Sequence, residues 1–399
     1  MAQYFTERLQ KVFHMIFKSY NQEMAQEGWR QLELIVNNQH SPEQPNHRAL
    51  RNDMTTSLEN EIDTKEDALK IANDPEAREI ADAYALLARI YAGPRFTWEE
   101  SNFPENNMRT YQCLHDSIRR CSPIGTLQAL RINGTITPTV EKDMLISFDD
   151  AFRIVYDYAE QGDAFCQYII GNVFFWRDDD RISLARDMIT PPRLSLAKRI
   201  QQSFQKGSIQ ERLIALQGTI SNETLQENAT KLAKEWFNKA LDNGLAMFQG
   251  NLRNIYIDEG DFNNARRVAL TAAELGNPTM MLYTGLDCHE HGKFEDAFTW
   301  FTKGAALGQA ESTAELADYY YHFYDTKELR RVIPYDPVKA IGLYRRAATK
   351  YFSDAGYAAL QAAFGYIFHI GHLPLDWGLI ADLTHMAATK ERFMFSLPY

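Results

Sequence analysis

Between Ala233 and Gly308 the apolar positions recur with a 32-residue period. Counted back from Gly244, Gly276 and Gly308, position −11 is Ala233, Ala265 and Ala297, and position −7 is Phe237, Ala269 and Phe301. Position −4 is Ala240, Ala272 and Gly304, and position −3 is Leu241, Ala273 and Ala305. Offsets of three and four residues put these side chains on one face of an α-helix. The closing glycine suits the residue just past a helix end, where the backbone commonly turns to positive φ. A small residue at −4 lets the neighbouring helix approach closely. Each unit is predicted to be an A helix that starts just after one glycine and a B helix that ends at the next. Units of this length stack into a solenoid, each burying its surface on its neighbours.

The same frame recurs elsewhere with less regular spacing. Around Gly162 it places Ala151, Val155, Tyr158 and Ala159 inside; around Gly207 it places Leu196, Ile200 and Phe204 there. Shifted by one residue at Ser353, it places Ala340, Tyr344, Ala347 and Ala348. A helices follow Gly162 and Gly308, with Phe174 and Tyr320 at the core position, and the stretch from Leu87 to Gly93 repeats the end of that pattern. The two ends lack the frame. Phe5, Leu9, Val12, Phe13, Ile16, Phe17 and Tyr20 mark one face of a long amphipathic helix, and Gly28 to Val36 reads as a second helical piece. Residues 37–63 are polar, with Pro42 and Pro45, and read as a loop or linker. Trp377 to Phe395 reads as a closing helix. The expected organisation is a helical cap and linker over 1–63, a repeat array over 64–372 and a capping helix over 373–399. The expected fold is all-α, a right-handed α-solenoid of about seven or eight helix pairs between atypical ends.

Two segments carry a family likeness. Asp336-Pro337-Val338-Lys339-Ala340, continued by Tyr344 and Ala347-Ala348, is one; Ala297 through Gly304-Ala305-Ala306-Leu307-Gly308 is the other. Together with the small-residue A helices, these resemble Sel1-like repeats, relatives of tetratricopeptide repeats, over roughly residues 80–170 and 230–365. The resemblance implies a surface that holds other proteins, and bacterial members of the family serve signalling, envelope or secretion-linked processes. Some Sel1-like proteins resemble those called β-lactamases, which are secreted and carry a cysteine pair in each unit. The four cysteines here, Cys113, Cys121, Cys166 and Cys288, form no such pattern.

Composition narrows the reading. With 45% hydrophobic and 24% charged residues the chain is ordinary for a folded protein. A net charge of −11 argues against general binding to nucleic acid or to an anionic membrane. Few, unpaired cysteines point to a reducing compartment, and residues 1–8 show no basic segment leading into an apolar one, so a cytoplasmic protein without a signal peptide is expected. The longest apolar stretch, Tyr357 to Ile370, is broken by Gln361 and His369 and is too short to span a bilayer.

No G-x-S-x-G, P-loop or G-x-G-x-x-G motif is present. Cys288-His289-Glu290-His291 has metal-binding residue types, but adjacent residues do not converge easily on one tetrahedral ion, and the cluster reads as a polar loop with Cys288 on a core position. His369 and His372 are read as structural. No catalytic residue, metal or cofactor is expected. The more informative features are aromatic side chains and long A-to-B connections. Trp176, Tyr319 and His322 are expected off the buried stripe. The connections 94–107, 133–147, 177–192 and 325–335 contain Phe96, Trp98, Arg330, Arg331 and the run Arg177-Asp178-Asp179-Asp180-Arg181. Insertions in repeat proteins collect on the binding face. Phe96, Trp98, Trp176, Arg177, Asp178, Asp179, Asp180, Arg181, Tyr319 and His322 are therefore the candidate partner-binding residues. The expected function is a non-enzymatic scaffold that binds another protein or peptide. A special case is an immunity or chaperone-like partner of a basic toxin or secreted effector. A hydrolase-type enzyme is the alternative of another class, and the N-terminal helix is a candidate for self-association.

Overall fold

The glycine frame is realised as one recurrent turn. In a computed structural model, Gly162, Gly244, Gly276 and Gly308 all have positive φ. Each glycine N–H donates to the carbonyl three residues back, at 2.9–3.1 Å, and the next residue's N–H to the carbonyl five residues back, at 3.0–3.1 Å. This pair of bonds satisfies carbonyls that a helix end leaves open. At Gly276 and Gly308 the following residue begins the next helix at once. Asn277 Oδ1 accepts from the Met280 N–H at 3.1 Å, and Gln309 Oε1 accepts from the Ser312 N–H at 2.5 Å. Helix end and helix start are thus fastened within two residues, so successive helices fold back on each other.

The structure describes residues 3–37, 64–93, 97–98, 101–132, 141–192, 195–209, 220–247, 249–324, 326–350 and 354–394. All regular elements among them are helical. They fall into two units: Met1–Ile16, Met24–Thr97 and Phe103–Ile255 form the first, and Phe17–Glu23, Trp98–Asn102 and Tyr256–Tyr399 the second. The expected linker at 38–63 lies outside the described residues.

The first unit contains α1 (Glu7–Phe17) up to Ile16, α2 (Gln22–Asn37) from Met24, α3 (Lys65–Asn73), α4 (Glu79–Tyr91), α5 (Asn107–Arg119), α6 (Pro123–Ile132), α7 (Phe148–Glu160), α8 (Ala164–Phe175), α9 (Ser183–Ile189), α10 (Leu196–Phe204) and α11 (Asn222–Asp242). α1 buries the predicted apolar face, and α2 starts earlier than the expected Gly28. The segment leading into α1 is held by a buried polar knot. The Tyr4 N–H donates to Asp163 at 3.0 Å, and Arg78 donates to the Tyr4 carbonyl at 2.6 Å, to the Ala72 carbonyl at 2.8 Å and to Asp82 at 3.0 Å. Asp82 also accepts from Ser122 at 2.6 Å and from the Tyr4 hydroxyl at 3.2 Å. From α4 to α8 each helix packs on the next, α6 meeting α7 across the 133–147 connection; α8 then passes over α9 and α10 to pack on α11.

The second unit takes the end of α12 (Gly250–Asp258), then α13 (Phe262–Glu274), α14 (Pro278–Glu290), α15 (Phe294–Ala306), α16 (Ala310–Tyr321), α17 (Lys327–Val332), α18 (Pro337–Ala348), α19 (Ala355–Ile367) and α20 (Trp377–Met394). Here the frame is most regular, and every residue it places inside on α13, α15 and α18 is buried. Phe301 on α15 lies against Gly285 on α14, where a Cβ would come within 2.5 Å of the ring. The first unit repeats this pairing with Phe237 on α11 against Gly171 on α8, at 2.6 Å. The eighth residue of the A helix, a glycine in both, thus receives the aromatic ring of the following B helix, at a distance that any larger residue would block.

Several expectations are corrected. The connections 177–192 and 325–335 are not plain loops: they contain α9 and α17. The frame around Gly207 does not hold. Gly207 is not among the positive-φ glycines, Phe204 is 76% exposed and Ile200 is exposed as well. The reason is that α10 makes no extended contact with another described helix. Tyr319, expected off the stripe, is fully buried. α16 is packed between α15 and α18, so it buries two faces where the frame allowed for one.

Candidate functional site

The charged run after α8 folds into an ion-paired edge of the first unit. Arg177 takes a left-handed conformation, φ 61°, and Asp178–Asp180 follow as a single 3₁₀ turn. Asp178 is buried and paired with Arg131 of α6. Asp179 is buried between Arg177, at 2.7 Å, and Arg186 of α9, at 2.5 Å. Burial alone would raise the Asp179 carboxyl, but the hydrogen bonds from Arg177 and Arg186 outweigh it and hold the pKa below the usual range. Arg177 also donates to Gln226 of α11 at 3.0 Å. Two of the three aspartates therefore fasten α6, α9 and α11 around the end of α8, and are not offered to solvent as expected. Asp180 and Arg181 remain exposed.

Trp176 is the outward feature of this edge. It is 51% exposed, as its place off the stripe predicted. The Arg131 guanidinium lies 5.6 Å from its ring centroid, and the Phe175 ring meets it edge-on at 4.9 Å. The guanidinium that neutralises Asp178 thus also steadies the indole. Arg181 pairs with Glu141 at 3.2 Å, and both line an open groove of about 410 Å³ with Met144, Leu145, Phe148, Asp149 and Lys65. The Leu184 N–H donates to Asp149 at 2.9 Å and the Ser183 hydroxyl donates to the same carboxylate, so α7 caps the start of α9 beside the groove. Sequence reading missed Arg131, Glu141 and Arg186. They lie outside the charged run, and no local spacing ties them to it.

The remaining candidates lie in the second unit or outside the described residues. Trp98 is buried against Tyr20, ring centroids 5.9 Å apart, which removes it from any binding surface. Phe96 lies outside the described residues. Tyr319 hydrogen-bonds through its hydroxyl to His289 Nδ1 at 2.8 Å and packs on Phe301. His322 turns the chain after α16 with φ 55° and is half-buried. Of the Cys288–His291 cluster, His289 is thus engaged with Tyr319 and His291 with the Asp287 carbonyl at 2.7 Å. Among the described residues, no three His, Cys, Asp or Glu side chains are grouped to hold a metal ion. Nor is any helix among them long and apolar enough to cross a membrane.

No family model matches the chain, and no curated protein does. Among solved structures it is similar to a Sel1 repeat protein from Oxalobacter formigenes, with 15% identity and a TM-score of 0.41, over 98% of this chain and 86% of that one. It is also similar to c5321, a protective antigen present in uropathogenic Escherichia coli strains displaying an SLR fold, with 14% identity and a TM-score of 0.33, over 98% of this chain and 87% of the other. The helix-pair repeat itself rests on the glycine-closed turns of this chain.

Proposed function

We propose that the protein is a non-enzymatic scaffold that holds another protein or peptide on the Trp176 edge of its first unit. One observation carries the reading: a half-exposed tryptophan steadied by a guanidinium, at the start of the connection whose Arg181 lines an open groove with both apolar and charged walls. Tryptophan is among the residues that dominate binding energy when a partner covers them. The ion pairs of Asp178 and Asp179 fix the backbone beneath it, which reduces the ordering cost of association. A net charge of −11 favours a basic partner through long-range attraction, and a dedicated basic effector is the finer form of the proposal.

The test is affinity capture from native lysate with the full chain and its Trp176→Ala variant, at low and moderate salt, followed by mass spectrometry. The expected result is one stoichiometric protein whose retention falls about tenfold or more with Trp176→Ala, while the circular dichroism of the variant is unchanged. Equal retention by both proteins would remove this edge as the binding surface.

A further inference from the structure

We infer that the N-terminal segment carrying Tyr4 and α1 is exchanged between two copies of this chain. The segment of one copy fills, in the other, the site that it fills here in its own chain. The inference does not rest on the Trp176 edge.

The site lies across the starts of three helices of the first unit, α4, α6 and α8, and it holds residue 4 as a receptor holds a peptide. Both main-chain polar groups are engaged, the Tyr4 N–H by Asp163 at 3.0 Å and the Tyr4 carbonyl by Arg78 at 2.6 Å. The side chain enters a pocket in which Asp82 accepts from its hydroxyl at 3.2 Å and the Ile124 N–H donates to the same oxygen at 3.3 Å. The Arg78 guanidinium carbon lies 4.0 Å from the ring centroid. Beyond residue 4, Phe5 and Phe13 meet Phe165 with centroids 5.8 and 4.8 Å apart, and the Thr6 hydroxyl donates to Glu79 at 2.6 Å.

Each charged group around residue 4 has a second fastening that does not involve the segment. Arg78 also donates to the Ala72 carbonyl at 2.8 Å and to Asp82 at 3.0 Å, and Asp82 accepts from Ser122 at 2.6 Å. The other oxygen of Asp163 accepts from the Cys166 N–H at 2.9 Å and caps α8. The receptor is thus preorganised, and when the segment leaves it, the buried Arg78 and Asp82 regain water, which offsets part of the loss. Leu9, Val12, Phe13 and Ile16 are buried as well, so a released segment is driven back into a receptor, its own or another's. Two copies cannot simply pair through the apolar face of α1, because that face is already covered within the chain.

α1 and α2 pack closely, a Cβ at Gly28 falling 2.7 Å from Ile16, and the two move as one piece. Residues 38–63 join that piece to the rest, 26 residues that reach about 90 Å at full extension. Exchange re-forms the same contacts, so its cost is that of association. The tether keeps the chain's own segment at an effective concentration of about 1 mM, and exchange competes as the protein approaches that concentration. A second copy is the occupant that presents Tyr4, Phe5, Thr6 and Arg8 in the order the site reads.

A charge swap on the full chain tests the exchange. Arg8 of the segment pairs with Glu79 of the receptor at 3.8 Å. Arg8→Glu in one chain and Glu79→Arg in another each set like charges together within their own molecule, whereas exchange between the two sets opposite charges together at both sites. Sedimentation velocity at low salt and about 0.1–1 mM protein is expected to show a heterodimer in the equimolar mixture. Its amount should exceed the dimer of either variant alone by about tenfold or more. The chain carrying both changes, with attraction restored within the molecule, should sediment as wild type does. Hydrogen exchange at residues 4–16 should be faster in each separate variant and return to wild-type protection in the mixture. A mixture that stays monomeric, one with no more dimer than the separate variants, or a heterodimer in which residues 4–16 stay as labile as in the separate variants would overturn the proposal.

Discussion

Two buried aspartates, Asp82 of the first unit and Asp318 of the second, are held in opposite ways. In the first, Asp82 faces the guanidinium of Arg78, itself without solvent contact, and accepts from the hydroxyls of Ser122 and Tyr4. Burial pushes its carboxyl up to about 6, against the lowering effect of Arg78 and the two hydroxyls. In the second, Asp318 on α16 accepts from the Tyr344 hydroxyl and, at 3.4 Å, from the Tyr357 hydroxyl. The neighbouring charges that raise it, Glu315 and Asp354, are carboxylates too, and burial with their help brings it up to about 7. A buried carboxylate with a cation is a fastening that needs both partners, whereas one surrounded by hydroxyls and other acids is a group the fold prefers protonated.

The comparison breaks most visibly at Arg78. Arg78→Ala leaves Asp82 buried without its cation and is expected to cost about 3–5 kcal/mol, read as a lower urea midpoint. Replacing both, as Arg78→Met with Asp82→Leu, should recover much of that loss, since the pair itself contributes little net stability. Failure of the double variant to recover would show that the bonds from Arg78 to Tyr4 and Ala72, not the pair, hold the knot.

Phe301→Ala tests the regular packing of the second unit without touching charge. The ring is fully buried against Gly285, so the cavity should cost about 3–5 kcal/mol. Hydrogen exchange should rise first over residues 262–350, because each helix pair is stabilised by its neighbours. A single all-or-none loss across the whole chain would contradict near-neighbour stability.

Asp318→Asn sharpens the comparison through pH. A carboxyl whose pKa in the fold lies above its unfolded value contributes stability that is complete below the unfolded value, near 3.8, and is lost as the pH rises through about 7. The wild-type protein should therefore lose stability over that window, and the variant, which does not titrate there, should show a flatter profile. Relative to wild type, Asp318→Asn should gain between pH 5 and pH 8 by about 1–2 kcal/mol. The same change at Asp82 should destabilise at both values, because Arg78 then lacks its carboxylate. Parallel profiles for Asp318→Asn and wild type would refute the neutral reading.

The smallest effect separates residues that look equivalent in the chain. Asp180→Ser should change stability by about 0.5 kcal/mol or less, since the carboxylate is exposed. Asp179→Ser leaves Arg177 and Arg186 without their buried partner and should cost about 2–4 kcal/mol in the same denaturation series.

The helix pairs of this protein are written locally. A glycine, three or four small or aromatic residues at helical offsets and a side chain able to cap the next helix lie within one helix and the turn that closes it, so α13, α15 and α18 and the turns at Gly276 and Gly308 follow from short stretches of sequence. The exposed Trp176 was legible for the same reason, as a residue out of phase with the stripe. Tyr319 was not, because a single helix shows its apolar period but not that a second neighbour covers its other side. Nor were the roles of Asp178 and Asp179. A run of five charged residues looks like a solvated surface until Arg131, from α6, and Arg186, across a further turn of chain, are brought against it. Periodicity acts between residues a few positions apart, and so it fixes helices and their caps. Burial and charge pairing depend on groups that only packing makes neighbours, and there the tertiary structure decided.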